Sequence, residues 1–152
     1  GEQMAVFAST TTVAGQPLSE LIGTKALPQQ ACEEIRQRVV QGGKNIIDLR
    51  GRSSFQSPAY LSIEMVAAAM GGPSFTWPVG TYVNNGEYNH IMMAMETTVD
   101  KNGVTVAPVK GTPEEHKELD QSYHHLCKLR DEVISLGIIP PISEWSKINP
   151  NL

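Results

Sequence analysis

His90-Ile91-Met92-Met93-Ala94-Met95-Glu96-Thr97-Thr98-Val99, then Asp100-Lys101-Asn102-Gly103, then Val104-Thr105-Val106-Ala107-Pro108-Val109 is the stretch that decides the fold class. Two apolar runs rich in β-branched residues are joined by a short polar segment ending in Asn-Gly. That pair tolerates positive φ and so closes a hairpin. The same character holds upstream, over residues 75–79 and 81–83, with Asn84-Asn85-Gly86 as a second turn. Together these runs predict an antiparallel sheet. Met92, Met93 and Met95 read as core packing within a strand rather than as a flexible binding groove.

Helical periodicity flanks the sheet on both sides. Pro17-Leu18-Ser19-Glu20-Leu21-Ile22 reads as a short helical turn closed by Gly23, after a strand-like opening over residues 4–10. Residues 29–41 set Cys32, Ile35, Val39 and Val40 on one stripe, with Glu33, Glu34, Arg36 and Arg38 mostly opposite. Gly42-Gly43 is expected to end that helix. Asn45-Ile46-Ile47-Asp48-Leu49 fits either a renewed helical turn or a short strand.

A further helix is expected to open at Ser57 as N-cap, with Pro58 at the first helical position where its missing N–H costs nothing, and to leave at Gly71-Gly72. The last helix is the clearest. Thr112 caps it, Glu115 completes a capping box, and Leu119, Tyr123, Leu126, Arg130 and Val133 form its inner face up to Gly137. The pattern is that of one α+β domain over residues 1–152, with helices packed on an antiparallel sheet.

The 152 residues suffice for a real core, and a net charge of −4 argues against a nucleic-acid or anionic-membrane partner. Cys32 and Cys127 lie far apart without Cys-x-x-Cys spacing, which fits reduced thiols of a cytoplasmic protein better than a disulfide scaffold. No run approaches the roughly eighteen apolar residues of a membrane helix. The opening Gly1-Glu2-Gln3 lacks both an initiator methionine and a signal pattern, and the expectation is a mature or excised fragment.

Few residues pair in ways that carry chemistry. His124 and Cys127 are three apart on the last helix, but two ligands do not make a metal site, so no metal is expected. His90 and His116 have no carboxylate or nucleophile partner in the sequence and read as structural. Glu33-Glu34, Glu114-Glu115 and Asp131-Glu132 lie on helices beside basic residues, as solvated faces do. No glycine loop of the dinucleotide or nucleoside triphosphate type is present. The run Gly51-Arg52-Ser53-Ser54-Phe55-Gln56-Ser57-Pro58-Ala59 is the exception, because it delivers two serine hydroxyls and two flanking arginines, Arg50 and Arg52, onto a helix start. Ordinary capping and docking of a carboxylate or phosphate both fit it.

A family resemblance adds to this reading. Residues 1–18, with Met4-Ala5-Val6 and the run Ser9-Thr10-Thr11-Thr12-Val13-Ala14-Gly15-Gln16-Pro17-Leu18, resemble the segment that begins the C-terminal half of malate dehydrogenases. Gly42-Gly43 and Ser53-Ser54-Phe55-Gln56-Ser57-Pro58-Ala59 are similar to that family's glycine-rich helix exit and its Gly-Ser-Ala-aromatic-x-Ala-Pro-Ala loop. The hairpin and the capped final helix follow in the family's order, so the resemblance to the lactate/malate dehydrogenase superfamily covers the whole chain.

The resemblance implies the substrate-side domain of an NAD-dependent enzyme that interconverts malate and oxaloacetate by hydride transfer. Its histidine base and nicotinamide-dinucleotide half would precede Gly1, leaving a fragment inactive alone. Ser53 and Ser54, with Arg52 as a further candidate, would border the substrate, and Pro58 would lie against the nicotinamide ring. Arg52 stands where the family pattern has glycine, and Gln56 where it has an aromatic or small residue. A homo-oligomer is implied, with the helices around residues 32–40 and 60–70 as contact surfaces. Two alternatives stay open: the same domain of a lactate dehydrogenase, and a stand-alone binding or oligomerisation module derived from it.

Overall fold

A computed structural model describes residues 4–150. Its elements run β1 (Thr12–Val13), β2 (Gln16–Pro17), α1 (Leu18–Leu21), α2 (Gln29–Arg50), α3 (Gln56–Ala69), β3 (Phe75–Val83), β4 (Ile91–Asp100), β5 (Gly103–Val106), α4 (Pro113–Ser135) and α5 (Ile142–Ile148). The fold is α+β: a three-stranded antiparallel sheet in the order β3-β4-β5, packed with helices. The chain divides into two compact units, residues 1–64 with 110–119, and residues 65–109 with 120–152.

The second unit holds the sheet. β4 lies in its centre and alternates strictly, so Ile91, Met93, Met95, Thr97 and Val99 are buried while Met92 faces out. The methionines therefore divide by strand parity, and Met92 is surface rather than core. β3 is one continuous strand, not two. Pro78 is accommodated because β3 is an edge strand and its missing donor breaks no central ladder. Ala68, Phe75 and Val99 form a buried cluster, with Met65 and Val79 packed against it.

The turns differ in chemistry. Gly103, at φ 127°, takes the positive φ of the β4–β5 hairpin, and Asp100 Oδ1 accepts the Asn102 N–H at 2.6 Å. In the loop before β4, Asn85 Oδ1 accepts the N–H groups of Glu87 and Tyr88, and Asn89 Oδ1 accepts that of Gly86. Helix α4 secures this loop through Tyr88, only 1% exposed, whose hydroxyl donates to Asp120 at 3.0 Å. Arg130 donates to the carbonyls of Asn89 and His90 and pairs with Asp131.

In the first unit the opening segment forms no long strand. Residues 4–8 are irregular, and the two-residue hairpin β1–β2 turns at Ala14 and Gly15, both at positive φ. Helix α2 does not end at Gly42-Gly43. Two interior glycines cost only about 1 kcal/mol each relative to alanine, and neither adopts positive φ here, so the helix runs through them and Asn45-Ile46-Ile47-Asp48-Leu49 is helical. It stops at Gly51, left-handed at φ 68°, whose N–H bonds the Ile47 carbonyl.

Helix α3 begins two residues earlier than its sequence suggests. Its first backbone bond runs from the Ala59 N–H to the Phe55 carbonyl, so Ser57 and Pro58 are both inside the first turn, and Ser57 is not the N-cap. Pro58 is still tolerated, because the first-turn N–H groups have no helical acceptor. The exit is as expected: Gly71 N–H bonds Ala68 and Gly72 N–H bonds Ala67, with Gly71 at φ 96°. Thr112 and Glu115 form the reciprocal capping box of α4 (2.8 and 3.2 Å), which closes at Gly137.

Candidate functional site

Everything in the serine loop follows from two helix ends. Gly51 reverses the chain after α2, and α3 starts at Gln56, so residues 51–55 span the gap between them. Phe55, whose carbonyl receives the first α3 bond, carries an exposed ring. The Arg52 guanidinium sits 4.8 Å from the centroid of that ring, and the Arg50 guanidinium 5.7 Å from it. Arg50 also donates to the Gln56 side-chain carbonyl at 3.0 Å. At an exposed site each such cation–π contact contributes roughly 0.5–1 kcal/mol, enough to bias two long side chains toward one place.

The loop thus gathers two guanidiniums beside the first turn of a 14-residue helix. Ser54 is half-buried and Ser53 exposed, and neither hydroxyl has a hydrogen-bond partner within the described residues. Pro58 is exposed on the same first turn, and its carbonyl accepts the Ser62 hydroxyl at 2.8 Å. Ser53, Ser54, Arg52 and Pro58 are therefore brought onto one short segment of surface with Arg50 and Phe55. Positive charge, unsatisfied hydroxyls and a helix N-terminus together favour a carboxylate. Phe55 and Gln56 orient the arginines, a role that the sequence reading gave to neither, although it marked Gln56 as a departure from the family pattern. An aromatic three residues after the second of two closely spaced arginines was the available signal.

A second assembly lies in the same unit. The Glu115 carboxylate accepts the Ser9 N–H at 2.9 Å, the Ser9 hydroxyl, and the Thr112 N–H at 2.8 Å. Burial raises its pKa, but these donors and that of Ala8 outweigh it, and the carboxyl titrates below its usual range. Gly111 is required beside it, because an added Cβ would stand 2.6 Å from the Phe7 ring and 2.8 Å from Glu115 Oε2. Among residues 4–11, Ala8 and Ser9 are held by these contacts. An open cavity of about 250 Å³ is lined by Met4, Arg36, Gln37, Val40 and Gln41. Arg36 is already paired with Glu118 at 2.6 Å.

Three of the histidines make local packing or hydrogen-bond contacts. His90 adopts φ 54°, receives or donates a bond at 3.0 Å with the Tyr82 hydroxyl, and meets the Trp145 ring edge-on. His116 packs edge-to-face on Phe7. His124 Nδ1 donates to the Asp120 carbonyl. Among the described residues no three His, Cys, Asp or Glu side chains are grouped to hold a metal ion. The residues preceding Met4, where the resemblance implies the approach to the catalytic histidine, lie outside the described residues.

Comparison with known proteins gives the family of the chain. The family model for the lactate/malate dehydrogenase alpha/beta C-terminal domain matches residues 1–136. The chain belongs to this family. It is 36% identical over 107 residues to a malate dehydrogenase of Staphylococcus carnosus, covering 68% of this chain and 32% of that protein. It is 28% identical over 134 residues to one from Nitratiruptor, covering 86% and 40%.

Among solved structures, malate dehydrogenase from Salinibacter ruber superposes with a TM-score of 0.77 at 27% identity, over 90% of this chain and 44% of that one. A minor L-lactate dehydrogenase from Enterococcus mundtii gives 0.76 at 28%, over 88% and 43%. The chain spans less than half the length of these relatives. Both substrate classes of the family are represented among them.

Proposed function

We propose that this domain supplies the substrate side of an NAD-dependent malate dehydrogenase, with the 51–58 segment as one wall of the pocket. The observation that carries the reading is the convergence of Arg50 and Arg52 on Phe55 beside the open hydroxyls of Ser53 and Ser54. A dicarboxylate needs more positive charge than a monocarboxylate, and a second guanidinium in the wall favours malate over lactate. The malate dehydrogenases among its relatives support the same choice.

The residues present fit one edge of the cofactor. Pro58 offers an exposed apolar ring to a flat heterocycle, whereas no glycine loop for the pyrophosphate occurs in the chain. When bound, NAD accepts or returns the hydride at C2 of the 2-hydroxy acid. Ser53, Ser54 and Arg52 hold the substrate against that transfer, and the base and cofactor site belong to the other half of the enzyme. Alone, the chain is expected to be inactive.

Assembly of the enzyme as a homo-oligomer is part of the proposal. No residue of α2 is buried, and Tyr60, Ile63 and Val66 on α3 and Met70 just after it are exposed, apolar side chains of the kind that a subunit contact covers. A cytoplasmic location accords with the two free thiols.

The test is reconstitution. The chain joined to the NAD-binding half of the Staphylococcus carnosus malate dehydrogenase should reduce oxaloacetate with NADH and turn over pyruvate far more slowly. A preference for pyruvate would assign the lactate branch. Turnover by the chain alone would overturn the division of labour. The codons preceding Gly1 separate the enzyme from a stand-alone module: a Gly-Gly-His ending after an earlier Gly-x-Gly-x-x-Gly belongs to the enzyme, a start codon to the module.

A further inference from the structure

The chain contains two Asn-Gly pairs, Asn85-Gly86 and Asn102-Gly103, and the fold treats them oppositely. An asparagine followed by glycine is open to attack on its side-chain amide by the next backbone nitrogen, because glycine has no Cβ to obstruct the approach. Both asparagines are exposed, so accessibility does not separate them.

Hydrogen bonding does. At Asn85 the side-chain oxygen accepts two backbone N–H groups, from Glu87 at 3.1 Å and Tyr88 at 2.9 Å. The would-be nucleophile, the Gly86 nitrogen, donates to Asn89 Oδ1 at 2.9 Å, and Asn89 Nδ2 returns a bond to the Gly86 carbonyl. The loop is further pinned by buried Tyr88 on Asp120. The side chain that must be attacked and the nitrogen that must attack are thus both engaged in hydrogen bonds. The Asn102 side chain has no such bond, and it stands at the tip of the β4–β5 hairpin, where Gly103 opens the edge strand opposite Asp100. Only the terminal pair of an exposed ladder must fray for the attack to occur.

We propose that Asn102 is a site of spontaneous deamidation and isoaspartate formation in this protein, and that Asn85, with the same dipeptide, is protected by the fold. The Gly103 backbone nitrogen loses its proton and forms a bond to Asn102 Cγ. The Cγ–Nδ2 bond breaks and ammonia leaves, carrying that proton. Water then opens the five-membered imide at either carbonyl, giving aspartate or isoaspartate at position 102. The product places a second negative charge two residues from Asp100. In the isoaspartate form it adds a methylene to the main chain within the turn, which displaces the Asp100–Gly103 and Val99–Val104 pairs.

The experiment is peptide mapping by mass spectrometry of the folded chain held in mildly alkaline buffer, with a parallel sample in concentrated urea. In the folded sample, conversion at position 102 should exceed that at position 85 by at least about tenfold, since several hydrogen bonds must open before Asn85 can react. In urea the two sites should convert at similar rates. Asn102→Gln should remove the modified hairpin peptide and leave the Asn85 peptide unchanged. Equal conversion in the folded chain, faster conversion at Asn85, or a difference that persists in urea would each overturn the proposal.

Discussion

Ser9 gives both its backbone N–H and its hydroxyl to the carboxylate of Glu115, 106 residues away, while the same carboxylate caps the first turn of α4 through Thr112. A local capping motif is thereby used as a long-range clasp on Ser9.

Glu115→Ala should lower the unfolding free energy by about 1–2 kcal/mol, since it removes several charge-assisted bonds at a half-buried position. Thr112→Ala, which removes only the cap, should cost about 1 kcal/mol. Urea denaturation followed by circular dichroism measures both. A Glu115→Ala cost no larger than that of Thr112→Ala would reduce Glu115 to a cap.

The depressed pKa of Glu115 sets a pH dependence. A carboxyl that is harder to protonate when folded stabilises the fold above its unfolded value of about 4.3, and that contribution is lost as pH falls through the folded pKa. The stability gap between the wild-type chain and Glu115→Gln should therefore be full near neutrality and should shrink below pH of about 4. Urea midpoints of both chains across the acid range test the sign.

Gly111→Ala should destabilise by about 1–3 kcal/mol, because the methyl would overlap the Phe7 ring and Glu115 Oε2. Gly42→Ala, where an added Cβ meets nothing, should instead stabilise α2 by up to about 1 kcal/mol. Opposite shifts in thermal midpoint distinguish the two glycines.

In the reconstituted enzyme Arg52→Ala should raise KM for oxaloacetate about three- to tenfold, the range for a charged hydrogen bond at a partly exposed position. The effect on pyruvate should be smaller, as it lacks the second carboxylate. Unchanged kinetic parameters for both substrates would remove Arg52 from the pocket wall.

Much of the architecture was legible locally. The hairpin, the capping box of Thr112 and Glu115, the inner face of α4 and the exits at Gly71 and Gly137 all rest on bonds between residues within a turn or two. The serine loop was visible for the same reason, as a polar run between two helix signals. The start of α3 at Gln56 and the passage of α2 through Gly42-Gly43 were not, since glycine lowers helix propensity without forbidding the conformation. A short final helix, α5, carried no signal strong enough to be expected.

The sequence by itself determined the β4–β5 hairpin turn, the cap of α4, the exits at Gly71 and Gly137, and which family the domain resembles, because caps, turns and side-chain period are properties of neighbouring residues. The tertiary structure alone decided that Ser9 meets Glu115, that Arg50 and Arg52 share Phe55, that Met92 faces away from Met93 and Met95, and that one Asn-Gly pair is held while the other is open. Those outcomes depend on partners that chain folding brings into reach, and on which face of a strand or loop finds them.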